Sequence, residues 1–190
     1  MSIVVHSNIF YSPIWPKCYP EDKTARLYRS FTATEYLIRH QVESGHSFGV
    51  FDLEYQFKQE ESKAPRGKLY GDLHDNTLGA DELLEQMDFP LVSVAMAYDG
   101  INALDPEKLG PLIECLPLFG TIYHVLAERD PRNDSWKPTG PNQVLLRNAT
   151  STRHDAEGKG IMKKLAQFLM RYAAGEGFRA IQIECFADSS

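Results

Sequence analysis

The segment 143–186 constrains the fold most, because two strand patterns enclose a glycine turn and a helix pattern within it. The apolar run at 143–152 predicts a strand, and apolar residues at helical spacing predict an amphipathic helix at 159–174. A second alternating run predicts a strand at 179–186. A strand, a helix and a second strand in this order indicate a βαβ unit with parallel strands.

The glycine turn stands directly before the predicted helix, with Gly158 and Gly160 two residues apart. The first N–H groups of a helix lack internal partners and carry partial positive charge, so that end attracts anions. Lys159 and Lys163 add positive charge, which costs about 0.3–1 kcal/mol each at a helix N-terminus unless an anion neutralises it. These residues favour a phosphate site.

A purely structural interpretation fits the same residues. Asp155 and Glu157 precede the helix and are able to neutralise its positive end themselves. Glycines in a strand-to-helix turn are common, and their spacing here matches neither the P-loop nor the dinucleotide-binding fingerprint. The local residues therefore leave both interpretations open.

The whole chain, 1–190, is predicted to be a single domain of mixed α/β class, because strand and helix patterns alternate along it. Strands are expected in the opening run SIVV, at 47–57 with a bulge near Phe51, and at 90–100. Helices are expected at 32–44, 80–87 and 105–130, with Pro106 in the first turn of the last one and breaks at Pro111 and Pro117. Residues 58–80 are expected to form a surface excursion.

The composition limits the class of partner and the compartment. Lys and Arg total 20 against 26 Asp and Glu, a net charge of −6, which argues against binding nucleic acid or an anionic membrane. No apolar run is long enough to span a bilayer, and no secretory signal opens the chain. The three cysteines lie far apart and form neither a disulfide framework nor a zinc motif. We expect a cytoplasmic protein without a metal.

The unit at 143–186 resembles the acyl-CoA-binding core of the GNAT family of acyl-CoA N-acyltransferases. In that family the turn reads Arg/Gln-x-x-Gly-x-Gly/Ala, a pattern that falls here on Glu157-Gly158-Lys159-Gly160-Ile161-Met162. Gly177-Phe178 matches the Gly-Phe pair after the family's helix. Over 1–142 the resemblance rests on the order of elements alone.

The resemblance implies a twisted mixed sheet flanked by helices, whose parallel central strands splay apart around acetyl-CoA. It implies transfer of an acyl group from CoA to an amine, whose identity the sequence leaves open. By resemblance, the CoA-binding residues are Thr150, Thr152, Arg153, Glu157, Gly158, Lys159, Gly160, Ile161, Met162 and Lys163.

Two positions depart from the family pattern. Glu157 replaces Arg or Gln, and Met162 replaces a small residue. A carboxylate about 6 Å from a phosphate charge costs about 0.7 kcal/mol in water and about 3 kcal/mol at an effective dielectric constant of about 20. Several N–H donors, worth about 1.5–3 kcal/mol each, should outweigh this cost, so we expect weakened CoA binding.

The departures keep two other interpretations in view. One is a non-catalytic GNAT-fold module that binds CoA in a regulatory or interaction role. The other is an unrelated α/β domain with an accidental glycine turn.

The leading candidate for the catalytic base is Glu184, on the last predicted strand. Weaker candidates for a substrate cleft stand near strand ends: Asp52, Glu54, Tyr98 and Asp99. His124, His154 and Cys185 are expected to be ordinary positions rather than catalytic groups.

The end of the chain gives a further expectation. The family fold continues after the strand at 179–186 with a helix and two strands, whereas four residues follow Phe186 here. An apolar strand at an open sheet edge is an aggregation hazard. We therefore expect further residues beyond 190 in the natural protein, or an edge covered by an N-terminal segment or by a second subunit in a homodimer.

Overall fold

A computed structural model of the chain describes residues 1–132 and 136–183. Its helices are α1 Ser2–His6, α2 Trp15–Cys18, α3 Lys23–Glu43, α4 Ala80–Glu85, α5 Gly110–Cys115, α6 Pro117–Arg129 and α7 Ile161–Gly175. Its strands are β1 Phe48–Phe51, β2 Lys68–Leu69, β3 Met87–Asp88, β4 Leu91–Asp99, β5 Val144–Thr152 and β6 Ala180–Ile183.

The main sheet is mixed, with the strand order β1-β4-β5-β6. β4 runs antiparallel to both β1 and β5, and β6 runs parallel to β5. The predicted βαβ unit is therefore confirmed as β5, α7 and β6. β2 and β3 form a separate antiparallel ribbon.

Helices cover both faces of the main sheet, and the alternation of side chains along the strands explains why. On one face, α7 packs on β4 and β5, where the buried residues are Ala95, Ala97, Leu145, Leu165, Leu169 and Ala173. On the other face, Val4 of α1 and Ile38 of α3 pack against Val94 and Met96 of β4. The core therefore lies in two layers, one on each side of the sheet.

The strand predicted for the opening run SIVV is wrong, because residues Ser2–His6 form a helix that continues as a π-helical turn at Ser7–Tyr11. Val4 faces the sheet, while Val5 and Ile9, four residues apart, pack in the cluster around α3. The helical turn satisfies the buried backbone locally, as in the hydrogen bond from the Val5 N–H to the Met1 carbonyl at 3.1 Å, so the segment needs no strand partner. β-branched composition alone could not reveal this.

Several other boundaries also differ from the predictions. The helix expected at 32–44 begins at Lys23, and the strand expected at 47–57 ends at Phe51, with the predicted bulge between Val50 and Phe51. Pro106 lies in a turn rather than in a helix, which begins only at Gly110.

The break predicted at Pro117 is confirmed, whereas Pro111 lies in the first turn of α5 and interrupts no helix. Pro117 stands in the first turn of α6, immediately after the end of α5. Its missing N–H suits the start of a helix.

The excursion at 58–80 is held to the body of the protein by the buried carboxylate of Asp88 on β3. Asp88 accepts hydrogen bonds from the backbone N–H groups of Lys58 and Gln59 at 2.9 and 3.0 Å and from the Tyr55 hydroxyl at 3.0 Å. Burial raises the pKa of Asp88, but hydrogen bonds from Ser62, these amides and Tyr55 outweigh that effect and hold it at about 2.

Within the described residues, no helix combines the length and the hydropathy that crossing a bilayer requires.

Candidate functional site

The glycine turn before α7 has a backbone conformation that glycine adopts more readily than other residues. Gly158 and Gly160 have φ angles of +73° and +69°, in the left-handed region that side chains disfavour. A Cβ added at either position would meet no atom within 4 Å. The backbone is therefore bare at this point, with open space in front of it.

Within the part of the chain that the structure describes, no side chain caps the N-terminus of α7. Its N-cap residue, Gly160, makes no side-chain capping bond, and no acidic residue stands in its first turn. Lys159 and Lys163 are exposed, and neither has an ion-pair partner in the part of the chain that the structure describes. Positive charge from the helix and from both lysines therefore accumulates at the turn.

Arg153, an expected phosphate contact, is engaged elsewhere. Its side chain is buried, and it forms a two-pronged ion pair with Asp155 at 2.7 and 3.0 Å. Its third donor bonds the carbonyl oxygen of Phe89 at 2.9 Å. We therefore leave Arg153 out of the proposed phosphate contacts. The same pair occupies the carboxylate of Asp155, one of the two acids that precede the helix.

Glu157, the second of these acids, pairs with His154, whose Nδ1 lies 3.1 Å from the carboxylate. The His154 ring in turn stacks on Tyr11, with 3.7 Å between ring centroids. Burial, followed by the charge of Asp81, raises the pKa of Tyr11. Glu157 is thus held on the side of the loop that faces Tyr11, and sequence reasoning did not anticipate this aromatic neighbour from the first helix.

A second residue that sequence reasoning missed is Arg147 on β5. Its Nε donates a hydrogen bond to the hydroxyl of Thr150 at 2.7 Å, and its Nη2 lies 3.9 Å from the sulfur of Met162. Arg147 thus joins two of the expected CoA-binding residues and brings a cation to the first turn of α7. The signal in the sequence was a lone arginine within an otherwise uncharged strand.

The strand β5 has an irregularity beside this arginine. The register of β5 on β4 slips between Arg147 and Ala149, so Asn148 is an extra residue, a β-bulge. The pairing of β6 with β5 reaches only Arg147. Within the described residues, no strand pairs with 148–152 on the β6 side.

The remaining expected contacts are placed as follows. Thr152 shares a hydrogen bond of 2.9 Å with Ser93, and its carbonyl accepts one from Ser7 at 3.0 Å. Ile161 and Met162 are half-buried at the start of α7. The expected contacts therefore gather around the turn and the adjacent part of β5, except for the guanidinium of Arg153.

The candidates for a substrate cleft lie apart from the turn or have structural partners. Asp99 is buried at the end of β4 and accepts a bond from the backbone N–H of Asn142 at 2.6 Å. Tyr98 is buried beside His40, with 5.0 Å between ring centroids. Asp52 and Glu54 are exposed in the turn after β1.

Of the other three residues considered for catalysis, the structure describes His124 alone. His124 is exposed on α6 and lies 3.2 Å from Glu128. Glu184 and Cys185 lie outside the described residues. Among the residues that are described, no group of three His, Cys, Asp or Glu side chains is arranged to hold a metal ion.

Comparisons with known proteins give little. No protein-family model matches the chain, and no curated protein matches it. The structure is similar to a solved aminoglycoside N-acetyltransferase, AAC(6')-Iy, in complex with CoA, at 11% sequence identity and a TM-score of 0.29. The match covers 54% of this chain and 46% of that enzyme, less than half of its length. A likeness this weak supports neither the fold nor the function of this chain.

Proposed function

We propose that the chain is a GNAT-like N-acyltransferase that binds the pyrophosphate of acetyl-CoA at the N-terminus of α7 and transfers the acyl group to an amine. The observation that carries the proposal is the pair of left-handed glycines, Gly158 and Gly160, with open space where a Cβ would stand. Such a turn lets a phosphate reach the backbone N–H groups of the helix start.

The charges around the turn support the same proposal. α7 has no side-chain cap, and its two nearest acids are engaged by Arg153 and His154. An anion at the turn would relieve the repulsion between the helix end and the exposed lysines at 159 and 163.

The open side of β5 supports the position of the rest of the cofactor. Residues 148–152 have no strand partner on the β6 side within the described chain. A pantetheine arm carries amide groups, which bond an exposed strand edge as a peptide does. In this proposal the arm runs from the turn along β5 toward the bulge at Asn148.

The proposed reaction is direct attack of an amine on the thioester. A base removes a proton from the ammonium group, and the free nitrogen attacks the thioester carbonyl carbon. A C–N bond forms, the C–S bond breaks, and the departing CoA thiolate takes up the second proton, which the nitrogen loses as the amide forms. Glu184 remains the proposed base, although it lies outside the described residues.

A second candidate function is a non-catalytic module that binds CoA. Glu157 favours this second function, because a carboxylate beside a phosphate site weakens the binding of CoA. The contact with His154 holds that carboxylate near the turn. The two functions share the binding site and differ only in whether the thioester is cleaved.

The deciding experiment is calorimetric titration of acetyl-CoA into the protein and two glycine variants. Gly160→Asp puts a side chain and a negative charge in the phosphate position and should abolish binding. Gly177→Asp is the matched control, because Gly177 has φ +83°, has equally open surroundings and lies at the other end of α7. Absence of binding by the unaltered protein at millimolar acetyl-CoA, or equal binding by both variants, would disprove the site.

Catalysis is tested separately on protein that binds. Release of free CoA thiol should depend on an added amine if the protein is an acyltransferase. Tight binding with no amine-dependent release, over a panel of small amines, would favour the non-catalytic module.

A further inference from the structure

A cavity of about 150 Å³ lies on the opposite face of the sheet from α7. α1, α3, α5 and α6 form its walls, and the bulged part of β5 forms its floor. It is partly open to solvent. Neither the acyl-CoA resemblance nor the proposed phosphate site accounts for it.

Among the described residues that line the cavity, none carries a charged side chain. Most of it is apolar, and its polar groups are largely satisfied: Thr34 donates to the carbonyl of Ser30 at 2.6 Å, and Asn8 donates to that of Val4 at 2.8 Å. Burying an unpaired charge is far more costly than burying an apolar group. The cavity therefore suits a neutral apolar group and excludes a charged one.

The size of the cavity defines that group further. An apolar cavity of about 150 Å³ can stay dry and bind benzene. A phenyl ring or a branched aliphatic group of similar volume therefore fits, whereas a polyamine or a sugar would leave polar groups without partners.

The cavity adjoins the proposed acyl-transfer site through β5. Asn148 and Ala149 line it, and both belong to the stretch of β5 without a strand partner on the β6 side in the described chain. The side-chain amide of Asn148 makes no hydrogen bond to any described residue, although it lines the cavity at the bulge. A polar group that follows the apolar one would meet this amide.

We propose that the cavity receives the apolar group of the acceptor, which is an amine bearing a phenyl-sized hydrophobic substituent. This assignment rests on the proposed function. The substituent enters between α1, α3 and β5, and the nitrogen stays outside the uncharged lining, toward the open side of β5.

The first test uses fluorobenzene as a probe, followed by ¹⁹F NMR, and needs no cofactor. Thr34→Phe fills the cavity from α3, where Thr34 is buried and donates to carbonyl groups of its own helix. Thr32→Phe is the matched control, two residues earlier on the exposed side of the same helix. We expect saturable binding by the unaltered protein and by Thr32→Phe, and at least tenfold weaker binding by Thr34→Phe.

If Thr34→Phe does not fold, Thr34→Leu takes its place, because leucine fills the cavity with a smaller side chain. No saturable binding by the unaltered protein, or equal binding by the filled and control variants, would overturn the inference.

The second test measures acetyl transfer to benzylamine and to methylamine. We expect kcat/KM for benzylamine to be at least tenfold higher, and this preference to disappear in Thr34→Phe but not in Thr32→Phe. The alternative result is a higher kcat/KM for hexanoyl-CoA than for acetyl-CoA, with the difference lost in Thr34→Phe. In that case the cavity holds the acyl chain of the donor, and the acceptor assignment is wrong.

The two tests separate this inference from the function on which it rests. Binding of acetyl-CoA without binding of fluorobenzene would overturn the cavity assignment alone. Binding of fluorobenzene without binding of acetyl-CoA would overturn the proposed function and leave an apolar ligand site.

Discussion

Arg147 donates a hydrogen bond from Nε to the hydroxyl of Thr150, 2.7 Å away, across the bulge at Asn148. Residues three apart on a regular strand point to opposite faces of the sheet. The extra residue at 148 returns both side chains to the face that carries α7. The bulge therefore brings the arginine to Met162 and to the start of α7.

The position of Arg147 predicts a contribution to acetyl-CoA binding. Arg147→Met removes a cation beside the proposed phosphate site, and hydrogen bonds to charged groups are worth about 1.5–3 kcal/mol, or about 10–150-fold in affinity. Calorimetric titration at low and high salt should show a loss of this order that shrinks as salt rises. Arg171→Met, on the exposed side of α7, should change affinity less than threefold; equal losses in both variants would mean that only net charge matters.

Glu157→Gln should tighten acetyl-CoA binding, because it removes a like charge from the turn and restores the residue type of the family pattern. For a separation of about 6 Å, the gain is roughly 1–3 kcal/mol at low salt and falls as salt rises. Glu176→Gln is the matched control, since it removes the same charge at the opposite end of α7. Unchanged or weaker binding by Glu157→Gln would indicate that the contact with His154 maintains the turn.

Arg153 should act on stability and leave CoA affinity unaltered. Arg153→Met keeps much of the buried stem but removes the partner of Asp155 and of the Phe89 carbonyl, which should lower the free energy of unfolding by about 1–3 kcal/mol. Lys159→Met should instead weaken acetyl-CoA binding and change the free energy of unfolding by less than about 0.5 kcal/mol. Denaturant unfolding and calorimetry on both variants check this, and loss of affinity in Arg153→Met without loss of stability would contradict it.

Asp88 should make stability depend on pH in the acid range. Its pKa of about 2 in the folded protein lies below the ordinary value of 3.8, so folding favours the carboxylate. The stabilisation is therefore complete above about pH 5 and is lost as the pH falls toward about 2. Asp88→Asn cannot accept the same set of hydrogen bonds, and at neutral pH it should lower the free energy of unfolding by about 1–3 kcal/mol.

Urea unfolding from neutral pH down to about pH 3 measures this difference, which should shrink as the pH falls. Asp72→Asn, in an exposed turn, serves as the control and should show little difference at any pH. If the difference in free energy of unfolding between the unaltered protein and Asp88→Asn did not change with pH, the pKa of the Asp88 carboxylate would not be lowered by folding.

The sequence alone determined the local unit of β5, the glycine turn, α7 and β6. Alternating and helical spacing within a short window fix such elements, and the glycines at 158, 160 and 177 all adopt positive φ. Proline chemistry likewise located the break before α6 at Pro117.

Only the tertiary structure decided the secondary structure of the opening segment and the partners of the charged side chains. The run SIVV has strand composition, but packing on both α3 and the sheet makes it helical, because burial outweighs a propensity difference of a fraction of a kcal/mol. Arg153 was an expected ligand contact, but the fold pairs it with Asp155. Arg147 lies beside the start of α7 because of the one-residue bulge in β5. Ion pairs and strand register depend on residues far apart in the chain, so no local pattern determines them.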